Sequence, residues 1–371
     1  GPAAQHFANV EMAQNHAWNF YAQDVRVIEL RQWEAFYYQD FTRPATPAVM
    51  PTWYININAV RPNGSSPNGA IPYYIMRSGW DTGAVWASLQ MGSAKWGDHQ
   101  HLHAGHLHIV RGRDQLLISP SNWKGGPTGL GIVGNGIGYT DYSGVKNTLF
   151  FDDYGDYQRK SSGNIGGQDV YGFDRPVANE FTEEYGYARS DLTSAYNYAG
   201  WNPATQSSTQ MSDTTQRKLE KFYRNFLYLK GPGIFVTYDQ IKAKNSTNQL
   251  GQYRKHLRWH FPDQPTISGN SIRADKGASR IWMHTVLPAT VGFTKYSLQS
   301  NNPDNTYNDA SLNYLFVSNT WRVEARDTLN PLEMPFLTVM QAGPANLAEM
   351  TTGAFATTDS LMIGARITTD A

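Results

Sequence analysis

The feature that most constrains the fold is a succession of short segments, beginning near Ile55, in which apolar and polar side chains alternate. Strict alternation is typical of a strand with one buried face, because successive side chains point to opposite faces of a sheet. Clusters of Gly, Pro, Asn and Ser separate the segments, as in residues 61–69. Many short strands without intervening helical patterns predict a mostly β fold, a large antiparallel β-sandwich. The predicted strands cover residues 55–60, 73–77, 84–89, 148–151, 222–229, 234–238, 254–261, 281–286, 315–317, 321–325, 336–342 and 360–367.

The first forty residues follow a different periodicity. Apolar side chains recur at helical spacing between residues 7 and 21 and again between residues 25 and 37. Pro44, Pro47 and Pro51 then prevent helix from continuing. We therefore expect residues 1–52 to form a short N-terminal helical lead-in and a proline-rich connector, and residues 53–371 to form the β-sandwich domain.

Composition narrows the functional classes. The chain has 31 Lys and Arg against 31 Asp and Glu, so it lacks the basic excess that is typical of a nucleic-acid-binding protein. It has no cysteine, which excludes disulfides and thiolate zinc sites. No apolar run is long enough to span a membrane. The 22 Tyr and 11 Trp suit sugar-stacking surfaces, although an aromatic core would produce the same count.

Half of the histidines fall in residues 98–123, at His99, His101, His103, His106 and His108. On an extended strand the first three share a face, and the last two form a second same-face pair. Gly105 lies between the two groups, where a bulge or bend is expected. Clustered imidazoles suit proton transfer, charge neutralisation or metal ligation, because their pKa lies near neutrality. The same pattern is also compatible with a polar strand face on which the histidines have no chemical function.

This stretch resembles the signature of the heparinase II/III-like polysaccharide lyases, in which H-x-H-x-D-x-G precedes a strand, a turn and an apolar strand that ends in Asp. His99, His101 and Gly105 fit that signature, as do residues 111–112 and 116–118. Other segments resemble the family in the same order along residues 70–345. They are residues 77–80, 146–153, 190–196, 223–229, 234–239, 321–324 and 336–339.

The resemblance implies a reaction and roles for residues. Such lyases remove the C5 proton of a uronic acid and expel the 4-linked sugar, which requires a base, an acid and a group that neutralises the carboxylate. The family's first histidine, here His99, is expected to neutralise the carboxylate or take the proton. Tyr139 or Tyr142, at the end of a glycine-rich loop that is expected to border the cleft, is a candidate acid. The candidate substrate-binding residues are Arg77, His101, His103, Arg111, Arg113, Lys124 and Lys146.

Three positions bear on a metal site. The family's sandwich often binds zinc through the second histidine, the Asp that ends the next strand and a third histidine. The corresponding residues here are His101, Ser119 and Lys146. An ammonium group repels a dication, so we expect no cofactor and no zinc at this position.

Two functional hypotheses follow. The first is a polysaccharide lyase-like protein that cleaves or binds uronic-acid-containing polysaccharide by β-elimination. The second is a non-catalytic carbohydrate-binding or self-assembling extracellular surface or structural β module, because zero net charge favours self-association. The expected partner is an acidic polysaccharide, with no nucleic acid. A homo-oligomer and a missing N-terminal α/α-toroid domain are left open, and the expected location is secreted, periplasmic or at the cell surface.

Overall fold

A computed structural model describes residues 53–56, 73–79, 81–91, 103–119, 143–152, 168, 175–202, 207–210, 219–246, 251–252, 254–298, 320–358 and 362–369. This part of the chain has a mostly β fold in which all paired strands are antiparallel, as the sequence predicts. The predicted helical lead-in and the predicted strand at residues 315–317 lie outside the described residues, so both stay predictions, as does the boundary after residue 52.

The strands are numbered in chain order. They are β1 Trp53–Asn56, β2 Tyr73–Arg77, β3 Val85–Gln90, β4 Leu107–Arg111, β5 Asp114–Leu117, β6 Leu149–Asp152, β7 Arg175–Phe181, β8 Tyr185–Asp191, β9 Tyr198–Asn202, β10 Ser207–Gln210, β11 Leu219–Leu229, β12 Ile234–Ala243, β13 Asn245–Ser246, β14 Gly251–Gln252, β15 Arg254–Phe261, β16 Thr266–Ser268, β17 Ser271–Lys276, β18 Ser279–Leu287, β19 Val291–Ser297, β20 Trp321–Asp327, β21 Glu333–Pro344, β22 Thr351–Ala356 and β23 Ile363–Thr368. Short 3-10 turns occur at Ser143–Val145 and Ser194–Tyr196. Within the described ranges, no helix is long and apolar enough to cross a membrane.

Three sheets make up the sandwich. An eight-stranded sheet has the order β16-β17-β18-β21-β12-β11-β8-β7, and two further sheets have the orders β1-β2-β3-β4-β5 and β19-β20-β15-β6. All three contribute to one apolar core, so the eight-stranded sheet packs against the other two. Representative core residues are Met76 and Leu107 from the five-stranded sheet, Trp259 and Val323 from the four-stranded sheet, and Phe226 and Met340 from the eight-stranded sheet.

The strands form where the sequence alternates. In β11 and β12, buried and half-buried positions alternate along almost the whole length of each strand. The inward-facing side chains include Phe222, Phe226 and Phe235, all in the core.

The opposite face of the eight-stranded sheet carries a second apolar cluster around Val286 and Val339, and Ala365 and Ile367 of β23 pack against it.

A buried arginine joins the two layers of the sandwich. The guanidinium of Arg224 on β11 binds the carboxylate of Asp239 on β12 through two hydrogen bonds, Nε to Oδ1 at 2.7 Å and Nη2 to Oδ2 at 2.8 Å, and neither side chain is exposed. The third nitrogen, Nη1, donates to the backbone oxygens of Gly105 and Asn147. One arginine therefore connects the eight-stranded sheet to the turn before β4 and to the chain entering β6.

Replacing Arg224 by Met should leave the Asp239 carboxylate buried without its counter-ion and lower the free energy of unfolding by about 3–5 kcal/mol in urea titrations. The double variant Arg224→Met/Asp239→Leu should regain part of that loss, because no charge is then left buried. The matched control is Lys242→Met, which breaks the exposed Lys242–Glu220 pair between the same two strands and should change stability little. Equal losses in Arg224→Met and Lys242→Met would contradict the central role of the buried pair.

Candidate functional site

The turn that leads into β4 contains His103 and His106, and the strand itself carries His108. The N–H of His106 donates to the oxygen of His103 at 2.8 Å, and the N–H of Gly105 donates to the oxygen of Gln90 at 2.7 Å. Gly105 has φ +79°, and a Cβ atom there would lie 2.7 Å from Cδ1 of Leu192. Only glycine satisfies both requirements. The predicted bend at Gly105 is therefore confirmed.

His106 and His108 form the expected pair beyond the bend. Their rings are stacked with centroids 6.5 Å apart. Burial, followed by the charge of Lys146, holds the pKa of His106 well below its usual range, and the histidines at positions 103, 108 and 260 act in the same direction. Burial lowers the pKa of His108 to about 4. Both imidazoles are therefore neutral near pH 7.

Asn147 connects this pair to the four-stranded sheet. Its backbone N–H donates to Nδ1 of His106 at 2.9 Å, which leaves the His106 proton on Nε2. Its side-chain amide donates to the oxygens of Leu107 and Ile118 at 2.7 and 2.9 Å. Its Oδ1 accepts from the backbone N–H of His260 at 2.8 Å and lies 3.0 Å from Nδ1 of the same residue. Asn147 thereby aligns β4, the end of β5 and β15 around the histidines.

Lys146 adds a cation to the cluster. Its side chain is 1% exposed, and Nζ donates to Oγ of Ser119 at 2.7 Å. The two residues that the resemblance equates with zinc ligands therefore lie together, but as a hydrogen-bond donor and its acceptor. An ammonium supplies no lone pair to a metal, so this pair does not fit a zinc site.

A second buried polar cluster lies on the same face of β15, centred on Glu324 of β20. Its carboxylate is within 3.2 Å of His256 Nδ1 and Arg258 Nη2 and 3.1 Å from Arg322 Nη2, and it also contacts Arg326. Burial alone would raise the pKa of Glu324, but His256, Arg258 and Arg322 together hold it well below its usual range. The carboxylate is therefore ionised at all ordinary pH values.

The predicted substrate-binding residues separate into two groups. His103 and Lys146 lie at the start of β4. Arg77 and Arg111 lie at the other end of that strand, because Arg77 pairs with Trp86, which pairs with Val110 beside Arg111. The two ends of β4, Leu107 and Arg111, are four residues apart, and a strand rises about 3.3 Å per residue, so the two groups lie about 13 Å apart.

The arginine end of β4 has structural contacts of its own. Nη1 of Arg111 donates to Oγ of Ser279 at 3.3 Å, and Arg113 is exposed in the following turn. Among the predicted site residues, His99, His101, Lys124, Tyr139 and Tyr142 lie outside the described residues, so their roles stay predictions.

Seven residues at the site were not predicted from the sequence. They are Asn147, His256, Arg258, His260, Arg322, Glu324 and Arg326. The predicted strand at residues 254–261 does place His256, Arg258 and His260 on one face, but alternation assigns such a polar face to solvent. In the structure the side chains of that face are buried.

Comparisons with known proteins support the fold. No family model and no curated protein matches the chain. A heparinase III gene product of known structure has a TM-score of 0.56 at 10% identity, and the heparan sulfate lyase of Pedobacter heparinus has a TM-score of 0.54 at 12% identity. Each alignment covers 95% of this chain and 45% of the other, so the chain spans less than half the length of the structures it matches. The described sandwich therefore has a heparinase-like fold, in agreement with the sequence resemblance.

The lowered pKa of His108 predicts a pH dependence of stability. In the unfolded chain this histidine has a pKa near 6.5, so it is protonated below that pH. In the folded chain it stays unprotonated until the pH falls to about 4. The free energy of unfolding should therefore fall as pH decreases from 6.5 to 4, by at most about 1.4 kcal/mol per pH unit for this one group. His108→Gln should show a shallower fall over the same interval and parallel the unchanged protein above pH 7.5. Urea titrations across pH 4–8 measure this, and identical slopes below pH 6.5 would contradict it.

Proposed function

We propose that this chain is a polysaccharide lyase-like protein that binds uronic-acid-containing polysaccharide and cleaves it by β-elimination. The observation that carries the proposal is a group of four histidines near Lys146 at the start of β4, within a heparinase-like fold. The histidines are His103, His106, His108 and His260. The buried ammonium of Lys146 gives this end of β4 a positive potential, which favours an anionic substrate, and the neutral imidazoles beside it supply hydrogen-bonding nitrogens.

The proposed reaction has three parts. A base takes the C5 proton, the C4–O4 bond breaks as the C4–C5 double bond forms, and an acid gives a proton to the leaving O4. His99 is proposed to take the proton or to neutralise the carboxylate, and Tyr139 or Tyr142 to act as the acid. Lys146 is almost fully buried and donates to Ser119, so we assign it a contribution to the positive potential in place of direct contact with the sugar.

The alternative is a non-catalytic module that binds carbohydrate or self-associates at the surface of a cell. One observation favours self-association, namely the exposed apolar side chains of the C-terminal hairpin. Phe355 is 43% exposed, Met362 60% and Ile363 50%. Under either proposal the partner is an acidic polysaccharide or another copy of the chain, and the location is secreted, periplasmic or at the cell surface.

Catalysis is tested with hyaluronan, alginate and heparan sulfate, because β-elimination creates an unsaturated uronate that absorbs ultraviolet light. The unchanged protein should cleave at least one of them, and His99→Gln should reduce turnover about a hundredfold or more. His284→Gln is the matched control, since it makes the same change on β18, outside the cluster. Equal turnover in His99→Gln and the unchanged protein would remove His99 from the mechanism. Absence of cleavage by the unchanged protein would favour the non-catalytic alternative.

We also propose that no zinc is bound at the position formed by His101, Ser119 and Lys146, because the buried ammonium of Lys146 repels a dication. Elemental analysis of protein incubated with zinc and then dialysed should show less than one tenth of an equivalent. One tightly held zinc per chain that disappears in His101→Ala would contradict this proposal.

A further inference from the structure

The outer face of the eight-stranded sheet is unlike its inner face. Strands β8, β11 and β12 alternate between buried residues, which enter the core, and half-buried residues, which point away from it. Near β18 and β21 this outer face is apolar and packs against β23. Toward β8 and β11 most outer side chains are instead aromatic, amide-bearing or charged, and they remain partly exposed.

Five of these side chains form a connected surface, which we call the outer tyrosine face. They are Tyr187 and Arg189 on β8, and Lys221, Tyr223 and Asn225 on β11. The side-chain charge of Arg189 lies 4.6 Å from the ring centroid of Tyr223, and that of Lys221 lies 5.7 Å from the same centroid. Two cations therefore lie within 6 Å of the centre of one partly exposed ring.

Hydrogen bonds hold the neighbouring groups in place. The hydroxyl of Tyr187 donates to Oδ1 of Asn225 at 2.9 Å, and Nδ2 of Asn225 donates to the backbone oxygen of Tyr238 on β12 at 2.9 Å. Because these groups stand on three paired strands, the surface is formed before any ligand arrives. Preorganised side chains lose little conformational entropy on binding, which favours affinity.

The charges on this face indicate the ligand. Within the described part of the chain, neither Arg189 nor Lys221 forms an ion pair, whereas Lys242 on the neighbouring strand is paired with Glu220 at 2.7 Å. The carboxylate of Asp191, which lies opposite Tyr223 in the strand register, accepts from the N–H of Thr193 at 3.1 Å and forms no ion pair with Arg189 or Lys221. Two cations thus remain available for carboxylate or sulfate groups, beside a ring suited to the apolar C–H face of a sugar.

We infer that the outer tyrosine face is a second, non-catalytic binding surface for acidic polysaccharide. It shares the ligand class of the proposed function but stands apart from the histidine cluster. Tyr223 and Arg224 are adjacent on β11 and therefore point to opposite faces of the sheet, so Arg224 reaches the turn at Gly105 while Tyr223 faces outward. The surface would hold a polymer chain without taking part in its cleavage.

Affinity gel electrophoresis in hyaluronan and in heparin, with dextran as the neutral comparison, tests this inference. Measurements are made on the unchanged protein and on His99→Gln, so that binding is seen whether or not the polymer is cleaved. Tyr223→Ala should weaken binding to an acidic polymer about tenfold, and Tyr223→Phe should retain it, since stacking needs only the ring. Arg189→Gln should weaken binding about fivefold and reduce its dependence on salt.

The matched control is Arg273→Gln, which removes the same charge from an arginine that is paired with Asp275 on the same sheet. It should leave binding unchanged, and all variants should keep the thermal midpoint of the unchanged protein within a few degrees. Equal binding to dextran, equal losses in Arg273→Gln and Arg189→Gln, or full binding by Tyr223→Ala would overturn the inference. Cleavage that persists while Tyr223→Ala binds normally would overturn it and leave the proposed lyase activity standing.

Discussion

The buried pair of Arg224 and Asp239 is the interaction on which the arrangement of the sandwich depends. Burying two charges is unfavourable unless every hydrogen-bonding atom is matched, and here the carboxylate receives two donors while the remaining guanidinium nitrogen donates to Gly105 and Asn147. The oxygen of Gly105 belongs to the turn that carries the histidines, and the oxygen of Asn147 belongs to the segment that carries Lys146. The geometry of the candidate site is therefore set by a residue of the opposite sheet.

The strands could be predicted from the sequence wherever the buried positions are the apolar positions of an alternating apolar and polar pattern. Strands such as β2, β11 and β12 were predicted close to their observed positions, because large apolar side chains occupy their inner face. Strand β8 was missed because its pattern is inverted. Its inward positions are the small residues Gly186, Ala188 and Ser190, and a Cβ atom on Gly186 would lie only 1.9 Å from the hydroxyl of Tyr74. A large residue of a neighbouring sheet fills the space that β8 leaves, and single-strand periodicity does not contain that information.

The candidate site likewise has features that local sequence predicts and contacts that it does not. Local sequence predicts the bend at Gly105 and the pairing of His106 with His108, because both follow from spacing within ten residues. The partners that define the chemistry come from distant parts of the chain: Arg224 lies 119 residues from Gly105, and His260 lies 113 residues from Asn147. The sequence pattern also predicts that charged residues such as Arg258 and Glu324 face solvent. They are buried because their opposite charges pair with each other, which only the structure shows.

Lys146 reproduces one effect that a bound metal ion would have and removes another. Burial holds the pKa of His106 well below its usual range, and the cation of Lys146 lowers it further, so this imidazole remains unprotonated, as it would beside a metal. An ammonium, however, donates hydrogen bonds and accepts no electron pair, so it can polarise a substrate only through its field. Since Lys146 is buried, that field acts through a medium of low polarity and extends farther than the field of a surface lysine. Under the proposed function, this field would attract a carboxylate-bearing polymer to the start of β4 without displacing the contact between Lys146 and Ser119.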